Sequence, residues 1–559
     1  MFAPRGWALL GIATGLAAAG LVLQAPAALT VALLVVAALT LELRRLRRAL
    51  PALAAPWTVV ARLRAPDQVA SSHVLLDRSQ RVGQAVALEL VLDVDAAFDG
   101  LELQPLQWHS TAGMEVALPS EPLRLRAGND TRVRIEAMPA AAAVHRVFGL
   151  HAALIDALGL LRAEVFLPCS YEVAVLPRSW PLEARHLAET RRDVQRAAGG
   201  IRPDRAAGQG DELRELREHQ PGDAFKHIAW KASARRGRLM SRVFEHERAR
   251  AIYAVLDTGS TMREGRLGAA ALDFGLDFVH SLAETSSRQN LPFGLAVVDG
   301  EVVERTPVRE GLAALRQCDR TLLDIRRPVA ERLTPMDEEP LLQLVGDYLG
   351  SVERVHLPPI TSAATWVATR QRTVMAALAR LPERERSPQL RGPEPSGRAD
   401  LSILRRFCRA TDLALPYRPA LPAAERVQGL VDGVQAARAS RKGPFVLLVI
   451  SDFRGMRGAL EPLWRSAAAA RAAGHRVVVV SVGEHDAMDV HSLLSDGTNV
   501  GLGIGDDADT ALGLARADFA ARTATLEHVA DGARRAGAAF VADPAPGRLP
   551  ALWAAGVFA

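Results

Sequence analysis

A chain of 559 residues carries more sequence than one hydrophobic core organises, so two or three domains are expected. Its 68 basic and 63 acidic side chains leave a net charge of +5, too small an excess for this length to mark a nucleic-acid-binding protein. The cysteines Cys169, Cys318 and Cys408 are far apart and form no CxxC pair, which argues against a zinc ribbon and a disulfide framework.

The amino terminus carries the compartment signal. Gly6–Leu43 contains no charge before Glu42 and is interrupted near its middle by Gln24-Ala25-Pro26. Each half is at the short end for a membrane-spanning helix. Arg5 precedes the pair, and Arg44, Arg45, Arg47 and Arg48 follow it. Positive flanks at both ends predict a transmembrane helical hairpin over residues 1–50 with both ends in the cytoplasm. The bulk of a two-pass chain would then be cytoplasmic. The competing reading is a signal peptide cleaved near Ala25-Pro26-Ala27, followed by a single anchor that leaves the rest of the chain outside. The arginine cluster after the second segment favours the hairpin.

Residues 57–178 change to short alternating runs. Ala85–Val94, Leu123–Gly128, Thr131–Met138 and Tyr171–Arg178 have period-two character and are separated by turn residues such as Asp99-Gly100 and Gly128-Asn129-Asp130. This pattern predicts an Ig-like β-sandwich. Residues 179–250 read as a linker, with a helix followed by a Gly-rich stretch around Leu182–Gly210, and then a distinctive segment treated below. From 251 to 559, strands and helices alternate: strand AIYAVLD, helix Leu267–Ser287, strands PFGLAVVD and EVVERTPV, and a helix near Glu310–Asp319. After an insertion at about 322–397 come strand FVLLVISD, helix Gly458–Ala473, strand HRVVVVSVG, a helix near Leu514–Gly537 and strand AAFVAD. Alternation of this kind specifies a doubly wound α/β domain. Within the insertion, Trp366–Leu381 is predicted helical, and the proline-rich, charged run after it is predicted mobile.

Two buried-strand runs end in an acid. Ala251–Met262 delivers Asp257 and Phe445–Gly455 delivers Asp452, each next to hydroxyl groups. In an open α/β sheet that edge is where ligands and ions bind. The pair predicts a rim for a hard cation or for a protein partner.

Three stretches together resemble one family: Gln220–Ala249 (QPGDAFKHIAWKASARRGRLMSRVFEHERA), the LDTGSTM turn, and Ile155–Pro168 (IDALGLLRAEVFLP). They are similar to the bacterial domain-of-unknown-function family numbered fifty-eight, in which such a segment precedes a von Willebrand factor A-like domain. The resemblance implies a membrane-bound partner or adaptor of MoxR-type AAA+ ATPases with no established catalytic activity. It singles out Gly222, Asp223, Trp230, Ser233 and Arg235 as partner-binding or structural signature residues. Physically, Pro221-Gly222 sets a turn and Asp223 accepts backbone N–H bonds. Ile228 and Trp230, at alternating positions, are expected to anchor the segment to the core. Ser233, Arg235 and Arg236 are expected to bond backbone carbonyls or Glu245 and Glu247. The preferred reading is a belt that locks the linker onto the sheet. Ala229 departs from the aspartate that many relatives carry.

The A-like resemblance also raises Mg²⁺, which such domains hold through D-x-S-x-S, a threonine from a second loop and an aspartate from a third. Here the metal candidates are Asp257, Thr261 and Asp452. Gly259 replaces one hydroxyl ligand, and the second-loop threonine aligns with Ala399. The set is degenerate, so backbone-bonding roles for the two aspartates are the better reading and no cofactor is expected. GLGIGDD (Gly501–Asp507) lacks the Gly-Lys-Ser/Thr of a phosphate loop. No nucleophile set stands out, so neither enzymatic activity nor a small-molecule substrate is expected. The expectation is a membrane-anchored adaptor that binds a MoxR-type ATPase; an extracytoplasmic adhesion or envelope-assembly module is the alternative.

Overall fold

The computed structural model describes residues 4–53, 59–64, 80–94, 100–126, 131–156, 158–180, 207–219, 225, 228–245, 251–326, 331–351, 404–405, 407–408, 413–441, 443–483 and 508–542. They form two compact units, in which residues 1–178, 266–268 and 320–419 make the first and the remainder the second.

The first unit begins with helices α1 (Pro4–Val22) and α2 (Pro26–Leu53), joined through Gln24 at φ +50°. Both are long and apolar enough to cross a membrane, and Leu21, Leu33, Leu34 and Leu41 leave apolar side chains exposed along them. Nine strands follow: β1 (Val59–Arg64), β2 (Gln80–Arg81), β3 (Val86–Val94), β4 (Glu102–Ser110), β5 (Met114–Val116), β6 (Leu123–Arg124), β7 (Thr131–Pro139), β8 (Ala143–Ile155) and β9 (Arg162–Leu176). They make an antiparallel sheet in the order β1-β3-β7-β5 and a second sheet in the order β2-β9-β8-β4-β6, antiparallel except where β2 meets β9. Period-two patterning explains the faces: Leu88, Leu90, Ile135 and Ala137 point inward, while Ala87, Arg134 and Glu136 are exposed. Both sheets contribute to one apolar core, with Leu150, Ala152, Leu154 and Leu167 opposite the first sheet's leucines.

The Ile155–Pro168 motif is the β8–β9 turn. The buried Asp156 carboxylate accepts N–H bonds from Leu158 (3.3 Å), Leu160 (2.7 Å) and Leu161 (2.6 Å). Gly159 supplies the left-handed residue at φ +67°.

From 207 the chain builds the second unit: β10 (Ala207–Glu218), α3 (Trp230–Arg236), β11 (Met240–Glu245), β12 (Ala251–Asp257), α4 (Ser260–Arg263), α5 (Ala271–Arg288), β13 (Phe293–Val298), β14 (Val302–Arg305) and α6 (Gly311–Ile325), of which the residues from Arg320 on belong to the first unit. Strands β10 and β11 pair with each other as a separate antiparallel ribbon. The chain then returns to the first unit. There α7 (Glu338–Ser351) packs Leu342, Val345 and Leu349 with Leu404, Phe407 and Phe148, and the buried Arg405 bonds Thr334 and Met336. The segment read as an insertion of the α/β domain thus contributes residues to the first unit's packing. Its predicted helix at 366–381 and proline-rich run lie outside the described residues, as do residues 181–206.

The second unit is completed by α8 (Ala423–Ser440), β15 (Phe445–Ser451), α9 (Glu461–Ala472), β16 (Arg476–Ser481), α10 (Ala508–Arg535) and β17 (Ala539–Ala542). Its six-stranded sheet runs β14-β13-β12-β15-β16-β17, parallel except for the edge strand β14. β12 and β15 are buried at every position, as expected of central parallel strands covered on both faces. Helix α8, absent from the sequence expectations, packs on β12 and β13. An added Cβ at Gly433 would lie 2.5 Å from Val255 Cγ1, and one at Gly429 would lie 2.7 Å from the Gly300 carbonyl carbon. Only glycine lets the helix sit this close.

Candidate functional site

The strand order reverses between β12 and β15. β12 continues to β13 on one side and β15 to β16 on the other, so the loops at their C-terminal ends diverge and leave a crevice. Asp257 ends β12 and Asp452 follows β15, so the two predicted acids do share one rim. Asp257 Oδ1 accepts the Gly259 N–H at 3.0 Å, and Oδ2 accepts the Ser451 hydroxyl at 2.6 Å. Asp452 Oδ1 accepts the Arg454 N–H at 3.1 Å. Each aspartate therefore bonds backbone two residues ahead, and α4 has Gly259 at its N-cap with no side-chain capping bond. Between Asp452 and Arg454, Phe453 adopts φ +53° while its ring is fully buried. This left-handed conformation costs a bulky side chain about 1–3 kcal/mol and holds the two flanking residues in place.

The sequence reading missed the residue around which the rim closes. Arg426, in the first turns of α8, reaches the crevice with its side chain 5% exposed. Its Nη2 donates to Thr261 Oγ1 at 2.6 Å and to Asp452 Oδ1 at 3.2 Å, and stands 3.5 Å from Asp257 Oδ2. Its Nη1 donates to the Arg454 carbonyl at 2.7 Å. A cation near a helix N-terminus opposes the helix dipole, so the helix alone does not account for this placement. The available signal was the spacing Arg426, Gly429, Gly433. It places an arginine on the same face as two residues that permit close approach to the sheet.

One guanidinium serves two buried carboxylates. Burial, together with the charge of Asp452, raises the Asp257 pKa to about 6 against the opposing pull of Arg426. Asp452 Oδ2 and Arg426 Nε are buried with no hydrogen-bond partner among the described residues. Beside the rim is a cleft of about 200 Å³ lined by Asp452, Arg454, Gly455, Gly483 and, from α10, Arg522 and Thr525. Arg454 also pairs with Glu264 at 3.1 Å.

The predicted metal candidates Asp257, Thr261 and Asp452 come together, but the set as placed does not fit Mg²⁺. That ion requires near-octahedral oxygen ligation at about 2.1 Å. Here Gly259 supplies no side chain, the Thr261 hydroxyl already accepts from Arg426, and one guanidinium nitrogen stands between the two carboxylates. Ala399 and the glycine-rich 501–507 run lie outside the described residues.

The signature segment forms the β10–β11 ribbon and α3. Ile228 is buried and bridges Ser241, as expected of an anchor. Trp230 is not: it is 57% exposed and stacks edge-on with exposed Phe225 at 5.4 Å. Strand-like alternation stops at Ala229, where α3 begins, so Trp230 turns outward. Buried Ser233 donates to the Ala229 carbonyl at 3.0 Å and accepts the Met240 N–H at 2.9 Å, tying α3 to β11. Arg235 and Arg236 are exposed in the last turn of α3. The belt reading is revised accordingly, because β11 pairs with β10 and not with the six-stranded sheet. Gly222, Asp223 and Glu247 lie outside the described residues.

Fold and site together define a multidomain chain with two apolar N-terminal helices, paired β-sheets and an α/β sheet that closes on a buried charge cluster. Residues 215–356 match the family model described as "Protein of unknown function DUF58". A 96-residue stretch is 29% identical to "Uncharacterized protein YeaD" of Bacillus subtilis (strain 168), covering 17% of this chain and 22% of that protein. The chain therefore matches about a fifth of that relative's length. The family match includes Asp257 and Thr261 and ends before Arg426 and Asp452.

Proposed function

We propose that this chain is a membrane-anchored adaptor whose second unit is a von Willebrand factor A-like domain that docks a protein partner on the β12–β15 rim. The observation that carries the reading is the rim itself. Two acids, a threonine and an arginine from three separate stretches of the chain converge at the strand-order reversal, beside a cleft that α10 walls. The carboxylates are already engaged by a guanidinium and a serine hydroxyl, which suits recognition better than proton transfer. The α1–α2 pair would fix the chain in the membrane with the bulk in the cytoplasm, the Ig-like β-domain would act as a spacer, and the partner would be a MoxR-type AAA+ ATPase. The exposed Phe225–Trp230 pair would add a second contact.

A photocrosslinker at Arg522, followed by mass spectrometry of native membranes, tests the partner. Recovery of a MoxR-type ATPase, lost with Asp452→Ala, is the expected result; reproducible recovery of other proteins alone would refute it. A carboxy-terminal reporter tests the orientation. Cytoplasmic fluorescence is expected, whereas periplasmic phosphatase activity would transfer the docking reading to an extracytoplasmic module.

A further inference from the structure

We propose that Arg426 is the resident cation of this rim: its guanidinium occupies the position a divalent ion would take and makes the rim independent of metal. Asp257, Thr261 and Asp452 are the positions that the A-like pattern assigns to metal ligation. In the folded chain their oxygens converge on one nitrogen, Arg426 Nη2, at 3.5, 2.6 and 3.2 Å. The second guanidinium nitrogen is held by the Arg454 carbonyl, so the group is anchored from outside the carboxylate pair as well.

Gly259 occupies the place of a hydroxyl ligand and offers no oxygen to an ion. An added Cβ there would stand 3.2 Å from both Asp257 Oδ1 and Asp299 Oδ1 and 3.8 Å from Arg426 Nε, so the space beside the acids is already filled. A tethered guanidinium supplies fixed geometry and a charge that does not titrate. Unlike Mg²⁺, it needs no stripping of a tightly held water shell and leaves no open coordination corner for a partner's carboxylate. Partner recognition would then fall to the remaining polar surface of the rim and cleft. The inference concerns the rim's own chemistry and stands or falls separately from the identity of any partner.

The test uses the full chain in detergent micelles, with Mn²⁺ as the probe, read by calorimetry and by the shift in melting temperature. Wild type is expected to show no saturable binding and no change with EDTA. Arg426→Ala is expected to gain one saturable Mn²⁺ site and a metal-dependent rise in melting temperature, both lost when Asp257→Asn is added. Saturable Mn²⁺ binding by wild type that Asp257→Asn abolishes would overturn the proposal, and that arm requires no arginine variant. A folded Arg426→Ala protein with no metal gain would overturn it too. Should that variant be unfolded without metal, recovery of its melting transition on adding Mn²⁺ supports the proposal, and failure to recover counts against it.

Discussion

Two regions of this molecule bury aspartate, and they satisfy it in opposite ways. At the β8–β9 turn, Asp156 accepts three backbone N–H bonds, all from residues two to five positions ahead. At the β12–β15 rim, Asp257 and Asp452 share one guanidinium delivered from α8, and one carboxylate oxygen is left without a partner among the described residues. The first is a closed local device that shapes a hairpin. The second joins three segments distant in sequence, includes a left-handed phenylalanine, and leaves polar capacity unspent. Local consistency of the first kind marks structure, and incomplete satisfaction of the second kind marks sites of function.

The sharpest way to break this contrast is to remove the shared cation. Arg426→Ala leaves two buried carboxylates unopposed and is expected to cost about 3–5 kcal/mol in metal-free buffer by denaturant unfolding. Asp156→Ala strands three backbone donors but no charge, and is expected to cost about 2–3 kcal/mol. A larger loss for Asp156→Ala than for Arg426→Ala would invert the proposed ranking. Gly433→Ala presses a methyl into Val255 and lifts α8, for an expected cost of about 1–3 kcal/mol.

A smaller effect separates the regions by pH. Asp257 has a folded-state pKa raised to about 6, so between the ordinary carboxyl value near 4 and that point the folded chain holds a proton that the unfolded chain releases. The stability contributed by this group is therefore present at low pH and falls as pH rises through that window. Melting temperatures of wild type should decline relative to Asp257→Asn between pH about 4 and about 6. Parallel profiles would show that the carboxyl is not perturbed. The smallest effect belongs to Gly259→Ser: a loss within about 1 kcal/mol and no gain of Mn²⁺ binding, because the added hydroxyl does not evict Arg426.

Much of the α/β unit was legible because its signals are local. The runs at β12 and β15 are uniformly apolar and end in aspartate, and the structure places both acids on one rim. Helix starts were less legible: the predicted Leu267–Ser287 helix begins at Ala271, because Gly265 and Gly268 adopt φ +114° and +89°. Trp230 was misplaced because alternation was extended past the point where the ribbon gives way to a helix. Arg426 was invisible for a different reason. It lies 165 residues from Thr261 and 26 from Asp452, and only tertiary packing of α8 brings the three together.

That packing has a consequence for how the rim could be tuned. The reach of the guanidinium is set by the standoff between helix and sheet, and the standoff is set by Gly429 and Gly433, neither of which carries a charge. A methyl group added in the apolar interior would retract the positive head from its two acids much as shortening a boom withdraws its hook. The charge balance of the buried cluster is thus set in part by two residues that carry no charge of their own.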